Sequence, residues 1–77
     1  MNIVLYTKVG CHLCDDARAL LDELAADAQF ELREVEILGD PALYERYKYR
    51  IPVIEVDGVE ALEGRFDRAD LRAAIER

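Results

Sequence analysis

Two sulfur atoms three positions apart, Cys11 and Cys14 in the run Gly10-Cys11-His12-Leu13-Cys14, are the groups in this 77-residue chain best suited to chemistry. On a helix, positions i and i+3 share one face, which brings their Cα atoms near the ~4.4–6.8 Å separation that a disulfide needs. A helix beginning at or just after Cys11 would let the pair open and close with little backbone movement. It would also set Cys11 among unpaired N–H groups at the positive end of the helix dipole, which favours a thiolate over a thiol. Such a pair suits thiol–disulfide exchange, in which one sulfur attacks and the other resolves.

Plainer readings compete with this one. A structural zinc site normally takes four Cys or His ligands, and the chain offers only Cys11, His12 and Cys14, so no metal ligands are assigned. A purely structural disulfide across so short a loop removes little entropy from the unfolded chain. Two unrelated core cysteines could also fall at this spacing, because free Cys is often simply buried.

Neighbouring side chains would tune the pair. As an imidazolium, His12 would stabilise a Cys11 thiolate; as a lone His on an exposed turn it would be inert, and both readings stand. Asp15 and Asp16 oppose a thiolate, by roughly 1 kcal/mol at contact in water, against ~0.3–2 kcal/mol in its favour from the helix end. A moderately activated thiol is expected. Arg50, Arg65 and Arg68 are candidates to line a groove for a carboxylate-bearing substrate, with Arg50 best placed because it precedes Ile51-Pro52. Tyr44, Tyr47 and Tyr49 have a spacing that makes core or half-buried packing the default.

The elements that must position these groups follow from apolar spacing and turn chemistry. Ile3 to Thr7 is β-rich and reads as a buried strand. Leu13, Ala17, Leu20, Leu21 and Leu24 recur at helical spacing, which predicts an amphipathic helix to about Ala28. Phe30 to Ile37 reads as a second strand whose apolar parity shifts between Leu32 and Val35, so a bulge or a later start is expected. Asp40 as N-cap and Pro41 at the first helical position open a short helix to about Tyr49. Asp57-Gly58 between two apolar runs, Pro52 to Val56 and Val59 to Leu62, signals a hairpin. Asp67 can cap a last helix with Asp70 as its capping-box partner, and Phe66 is spaced to staple onto Leu71. The order β-α-β-α-β-β-α predicts an α/β fold with a mixed four-stranded sheet flanked by helices.

At this length the chain reads as one domain over residues 1–77, with 35% of its residues charged and no low-complexity stretch. A net charge of −7 argues against nucleic acid as a partner. The N-terminus lacks the pattern of a signal peptide and no run reaches transmembrane length, so no membrane association and a cytoplasmic location are expected, where a CxxC is more often catalytic than structural.

The run Val4 to Cys14, with Ile51-Pro52-Val53 and Gly64 near the last helix, resembles the glutaredoxin family of thioredoxin-fold proteins. The Cys-x-Leu-Cys-Asp form is closest to a compact glutaredoxin-like subfamily of poorly defined role. The resemblance implies a thioredoxin/glutaredoxin-like fold, a thiol–disulfide oxidoreductase activity, Cys11 as nucleophile, Cys14 as resolving thiol and Lys8 as the basic residue before the motif. It further implies a cis bond at Pro52 that leaves the backbone of Ile51 free for an incoming peptide or glutathione.

The expected partners are protein disulfides or a small thiol, with a reductase or glutathione as electron donor, on a monomer that needs no cofactor. Where the family carries Cys-Pro-Tyr-Cys, Thr, Gly-Gly and an Asp that holds the glutathione amine, this chain has Cys-His-Leu-Cys, Ile51, Glu63-Gly64 and Asp67. Glu63 then sets a negative charge where an anionic tripeptide would approach, and glutathione is expected to serve poorly. Two rivals remain at this stage: an iron–sulfur or metal-handling protein that shares a cluster through Cys11 and glutathione, and a binding module that keeps the fold without turnover.

Overall fold

The computed structural model describes residues 1–76. Strand β1 (Asn2–Thr7) leads into helix α1 (His12–Ala25), followed by β2 (Glu31–Glu36), a 3₁₀ turn (Ile37–Gly39), α2 (Pro41–Tyr47), β3 (Val53–Val56), β4 (Val59–Glu63) and α3 (Arg68–Ile75). The strands form one mixed sheet in the order β2-β1-β3-β4. β1 and β2 run parallel across the α1 crossover, whereas β1–β3 and β3–β4 are antiparallel.

The pleat sorts side chains onto two faces. Ile3, Leu5 and Ile54 point to one face, where Ala17, Leu21 and Leu24 of α1 and Leu71 and Ile75 of α3 complete an aliphatic core. Tyr6 and Val53, one residue along their strands, point to the other, where Tyr47 of α2 and Ile37 close a smaller cluster. The pairings Leu5 with Ile54 and Tyr6 with Val53 keep each face consistent across strands.

The local signals account for the element ends. Asp40 accepts hydrogen bonds from Ala42 and Leu43 N–H with Pro41 in the first turn, and Asp67 and Asp70 form a reciprocal capping box. Phe66 packs against the core that holds Leu71. Asp57 (φ 50°) and Gly58 (φ 86°) both take the left-handed conformation that a two-residue hairpin requires.

Several expected boundaries shift. α1 stops at Ala25, and Ala28 N–H instead bonds Leu24 C=O at 2.9 Å in a closing turn. α2 stops at Tyr47, so Tyr49 lies in the turn beyond it and is 91% exposed, contrary to the packing expected of it. β2 pairs with β1 without a register shift, starting at Glu31 rather than Phe30. Its change of parity marks a change of face: Leu32 packs on the aliphatic core, whereas Ile37 turns into the Tyr47 cluster. The bulge lies elsewhere, in β4, where Glu60 pairs with Glu55 and Leu62 with Ile54, leaving Ala61 as the extra residue.

Candidate functional site

Register places the chemistry at one end of the sheet. Tyr6 pairs with Val53 and Val53 with Glu63, so the C-terminal ends of β1 and β4 meet the N-terminal end of β3. The Lys8–Cys11 turn, the Arg50-Ile51-Pro52 loop and the Glu63-Gly64 turn therefore cluster at that end.

Cys11 is the N-cap of α1. Its Sγ accepts the Cys14 backbone N–H at 3.2 Å, and its own N–H donates to Lys8 C=O at 3.2 Å. The Lys8–Cys11 turn passes through Gly10, whose φ of 84° suits glycine. Cys11 is half-buried and Cys14 buried, both as free thiols. Burial pushes the Cys14 thiol up from its ordinary value, and its hydrogen bond with Cys11 adds to this; the Thr7 hydroxyl works the other way. The two sulfurs are thus unlike: one capped by an amide and within reach of solvent, the other held protonated inside. Thr7, at the end of β1 and buried, was not among the residues expected here. Its signal was present in sequence, since it lies on the same β1 face as Ile3 and Leu5 and is the strand residue nearest the dithiol turn.

The Ile51–Pro52 peptide bond is cis. Gly64 N–H donates to both Pro52 C=O (2.9 Å) and Arg50 C=O (3.1 Å), tying this loop to the end of β4. Gly64 adopts φ 70° to do so. The expectation that the Ile51 backbone is left free needs correction. Its N–H already donates to Tyr47 C=O at 3.1 Å, because the chain makes a tight turn out of α2, and so its carbonyl is the group left for an incoming backbone.

Arg50 is not an open substrate contact either. Its guanidinium reaches Glu63 at 3.0 Å and is also hydrogen-bonded to Glu60, while it stacks 5.3 Å over the Tyr47 ring. These carboxylates raise the Arg50 pKa further, Glu63 first, and Arg50 in turn lowers that of Glu60. Glu63 is accordingly one half of an ion pair, not the lone charge read from sequence.

Tyr47 OH donates to Glu60 at 3.0 Å, and Arg46 approaches the same carboxylate at 3.8 Å. The Tyr47 phenol is pushed up to about 12, mainly by burial and then by Glu60. Tyr6 stacks on Tyr47 with ring centroids 4.5 Å apart and donates to Glu55.

Asp67 accepts the Asp70 N–H on its Oδ1 (2.9 Å) as the cap of α3. Arg68 pairs with Glu23 on α1. Arg65 does line one, a cleft of about 120 Å³ with Leu13, Asp16, Ala17, Gly64 and Phe66, beside the dithiol helix. His12 is exposed in the first turn of α1. Among the described residues, no group of three or more His, Cys, Asp or Glu side chains is arranged to hold a metal ion, and no helix is long and apolar enough to cross a membrane.

Comparison with known proteins fits this arrangement. A family model described as a glutaredoxin-like domain (DUF836) matches residues 2–76. An uncharacterized protein of Mycobacterium tuberculosis is 30% identical over 99% of this chain and 84% of its own length. A structural-genomics target protein from X. campestris superposes with a TM-score of 0.77 at 39% identity, covering 92% of this chain and 91% of that one. Protein Ne2328 from Nitrosomonas europaea does so with a TM-score of 0.79 at 32% identity, covering 96% and 89%. Thioredoxin 1 from Thermosipho africanus, at 15% identity, shares the fold with a TM-score of 0.72 over 100% of this chain and 92% of its own.

Proposed function

The chain belongs to the glutaredoxin-like domain family, and from that premise we propose that it is a thiol–disulfide oxidoreductase acting on protein or small-molecule disulfides. The observation that carries this reading is the inequality of the two thiols: a half-buried Cys11 Sγ capped by an N–H, next to a buried Cys14 whose thiol is pushed up from its ordinary value by that burial.

In the reductive direction the Cys11 thiolate attacks one sulfur of the substrate disulfide. That S–S bond breaks, a mixed disulfide forms on Cys11, and the departing thiolate takes up a proton. Cys14 then loses its proton and attacks Cys11 Sγ, releasing the second substrate thiol. The substrate gains two electrons and the protein is left with a Cys11–Cys14 disulfide, which a reductase or two equivalents of a small thiol resets. A cytoplasmic monomer without a bound cofactor completes this reading.

Trapping tests it. Cys14→Ser should accumulate mixed disulfides with substrate proteins, whereas Cys11→Ser should accumulate none. Mass-mapped alkylation of the reduced protein at neutral pH should modify Cys11 well before Cys14. Equal rates, or traps on Cys14, would remove the assigned roles.

A further inference from the structure

We propose that Glu63, backed by Glu60, sets the charge preference of the dithiol by occupying Arg50: a disulfide or thiol whose flank at the cis-proline loop is neutral or cationic is accepted, and one bearing a free carboxylate there is disfavoured. The proposal rests on the oxidoreductase reading and adds a specificity-determining residue to it.

Arg50 adjoins the Ile51–Pro52 bond, and its carbonyl is fixed by Gly64 N–H. Its side chain is therefore tethered at the loop where a substrate backbone would lie. A guanidinium offers a fork of donors that matches a carboxylate, so an unoccupied Arg50 would be a ready seat for an anionic substrate. Here the seat is filled. Glu63 meets both Nε and Nη2 of Arg50, at 3.3 and 3.0 Å, and Glu60 takes Nη2 as well.

The two carboxylates differ in how firmly they are held. Glu60 is also bound by Tyr47 OH and approached by Arg46, and its side chain is 31% exposed. Among the described residues Glu63 has Arg50 alone, and it is 54% exposed. Glu63 is thus the partner that a substrate carboxylate would have to displace, and the exchange of one carboxylate for another gains little. The exposed Asp15 and Asp16 on the dithiol helix bias the surroundings in the same direction.

The β4 bulge is what makes this pairing possible. Glu60 and Glu63 lie opposite Glu55 and Val53, two residues of one β3 face, even though three positions separate them in sequence. In a regular strand, residues three apart would point to opposite faces.

The test compares two thiols that differ in charge, glutathione and its dimethyl ester, as reductants of the oxidised protein. Glu63→Gln should speed reduction by glutathione about 5-fold at low salt, in line with one ion pair near a surface, and leave the ester rate within about twofold. In an Arg50→Gln background the same substitution should give no gain for glutathione. A gain of equal size with and without Arg50 would mean simple repulsion by Glu63 and would overturn the proposal. So would an equal gain for the ester, or none for either thiol. Dithiothreitol serves as the uncharged control: if it reduces no Cys11–Cys14 disulfide in any variant, the oxidoreductase reading itself falls and takes the proposal with it.

Discussion

The two faces of the sheet are built to different rules. On the α1/α3 face, Leu5, Leu21, Ile54 and Leu71 are each fully buried in a core of aliphatic side chains. On the α2 face the packing is aromatic and tipped with charge: Tyr6 on Tyr47, Tyr6 to Glu55, Tyr47 to Glu60, and Arg50 over Tyr47. An aliphatic core gains from burial in any direction, so it holds the fold but distinguishes little among partners. A layer of phenols, carboxylates and guanidinium groups contributes less stability per contact but fixes directions, and it is the layer that reaches the cis-proline loop. Cys14 and Thr7 sit on the aliphatic side, which is why the resolving thiol is shielded, whereas the Arg50–Glu63 pair sits on the other.

The largest break in this contrast should come from Leu21→Ala. Leu21 is 0% exposed, and a cavity there should cost about 2–5 kcal/mol in denaturant unfolding. In a domain this small, such a loss threatens folding itself.

Tyr47→Phe should cost less, about 1–2 kcal/mol, because it removes one hydrogen bond to a carboxylate while keeping the ring and its stack. A loss as large as that of Leu21→Ala would show the two faces to be equally dominant.

The alkaline side gives a smaller effect with a defined sign. Cys14 and Tyr47 both have folded-state values raised above their ordinary ones, 9.0 and 10.0. The stability they contribute is therefore complete below pH 9. It falls as the unfolded chain releases its protons first, across the Cys14 window and then up to about 12 for Tyr47. Thermal unfolding of the reduced protein should decline from about pH 9 upward, and Cys14→Ser should flatten the first part of that decline. A reduced protein equally stable at pH 8 and pH 10 would contradict the burial argument for Cys14.

Least of all, Glu63→Gln should move the melting temperature by no more than about 3 °C, since exposed ion pairs add little. A change in substrate preference with almost no change in stability would separate the two faces cleanly.

Much of this was legible in the chain. The strand before Cys11, the helix after it, Asp57-Gly58 and the Asp67/Asp70 box are local signals, each set by backbone geometry within a few residues, and the fold follows once they are joined. What could not be read depends on pairing over longer distances. The partners of Arg50 lie 10 and 13 positions away, and their common direction is set by a bulge whose only local mark is an Ala between Glu60 and Leu62. The engaged N–H of Ile51 was equally hidden, because it depends on α2 ending at Tyr47. Tyr49 failed for the same reason: helical spacing predicts packing only while the helix lasts.

The bulge at Ala61 also determines where the length of this chain can change. Removing Ala61 would restore a regular ladder in which Glu60 still meets Glu55, Leu62 still meets Ile54 and Glu63 still meets Val53, so the loss of one residue there should be absorbed. A deletion within β3, which pairs with β1 without a register shift, would instead turn one end of that strand to the wrong face of the sheet. Ala61 is thus the slack link of the hairpin, a position where one residue can be lost without disturbing either the core or the carboxylates that hold Arg50.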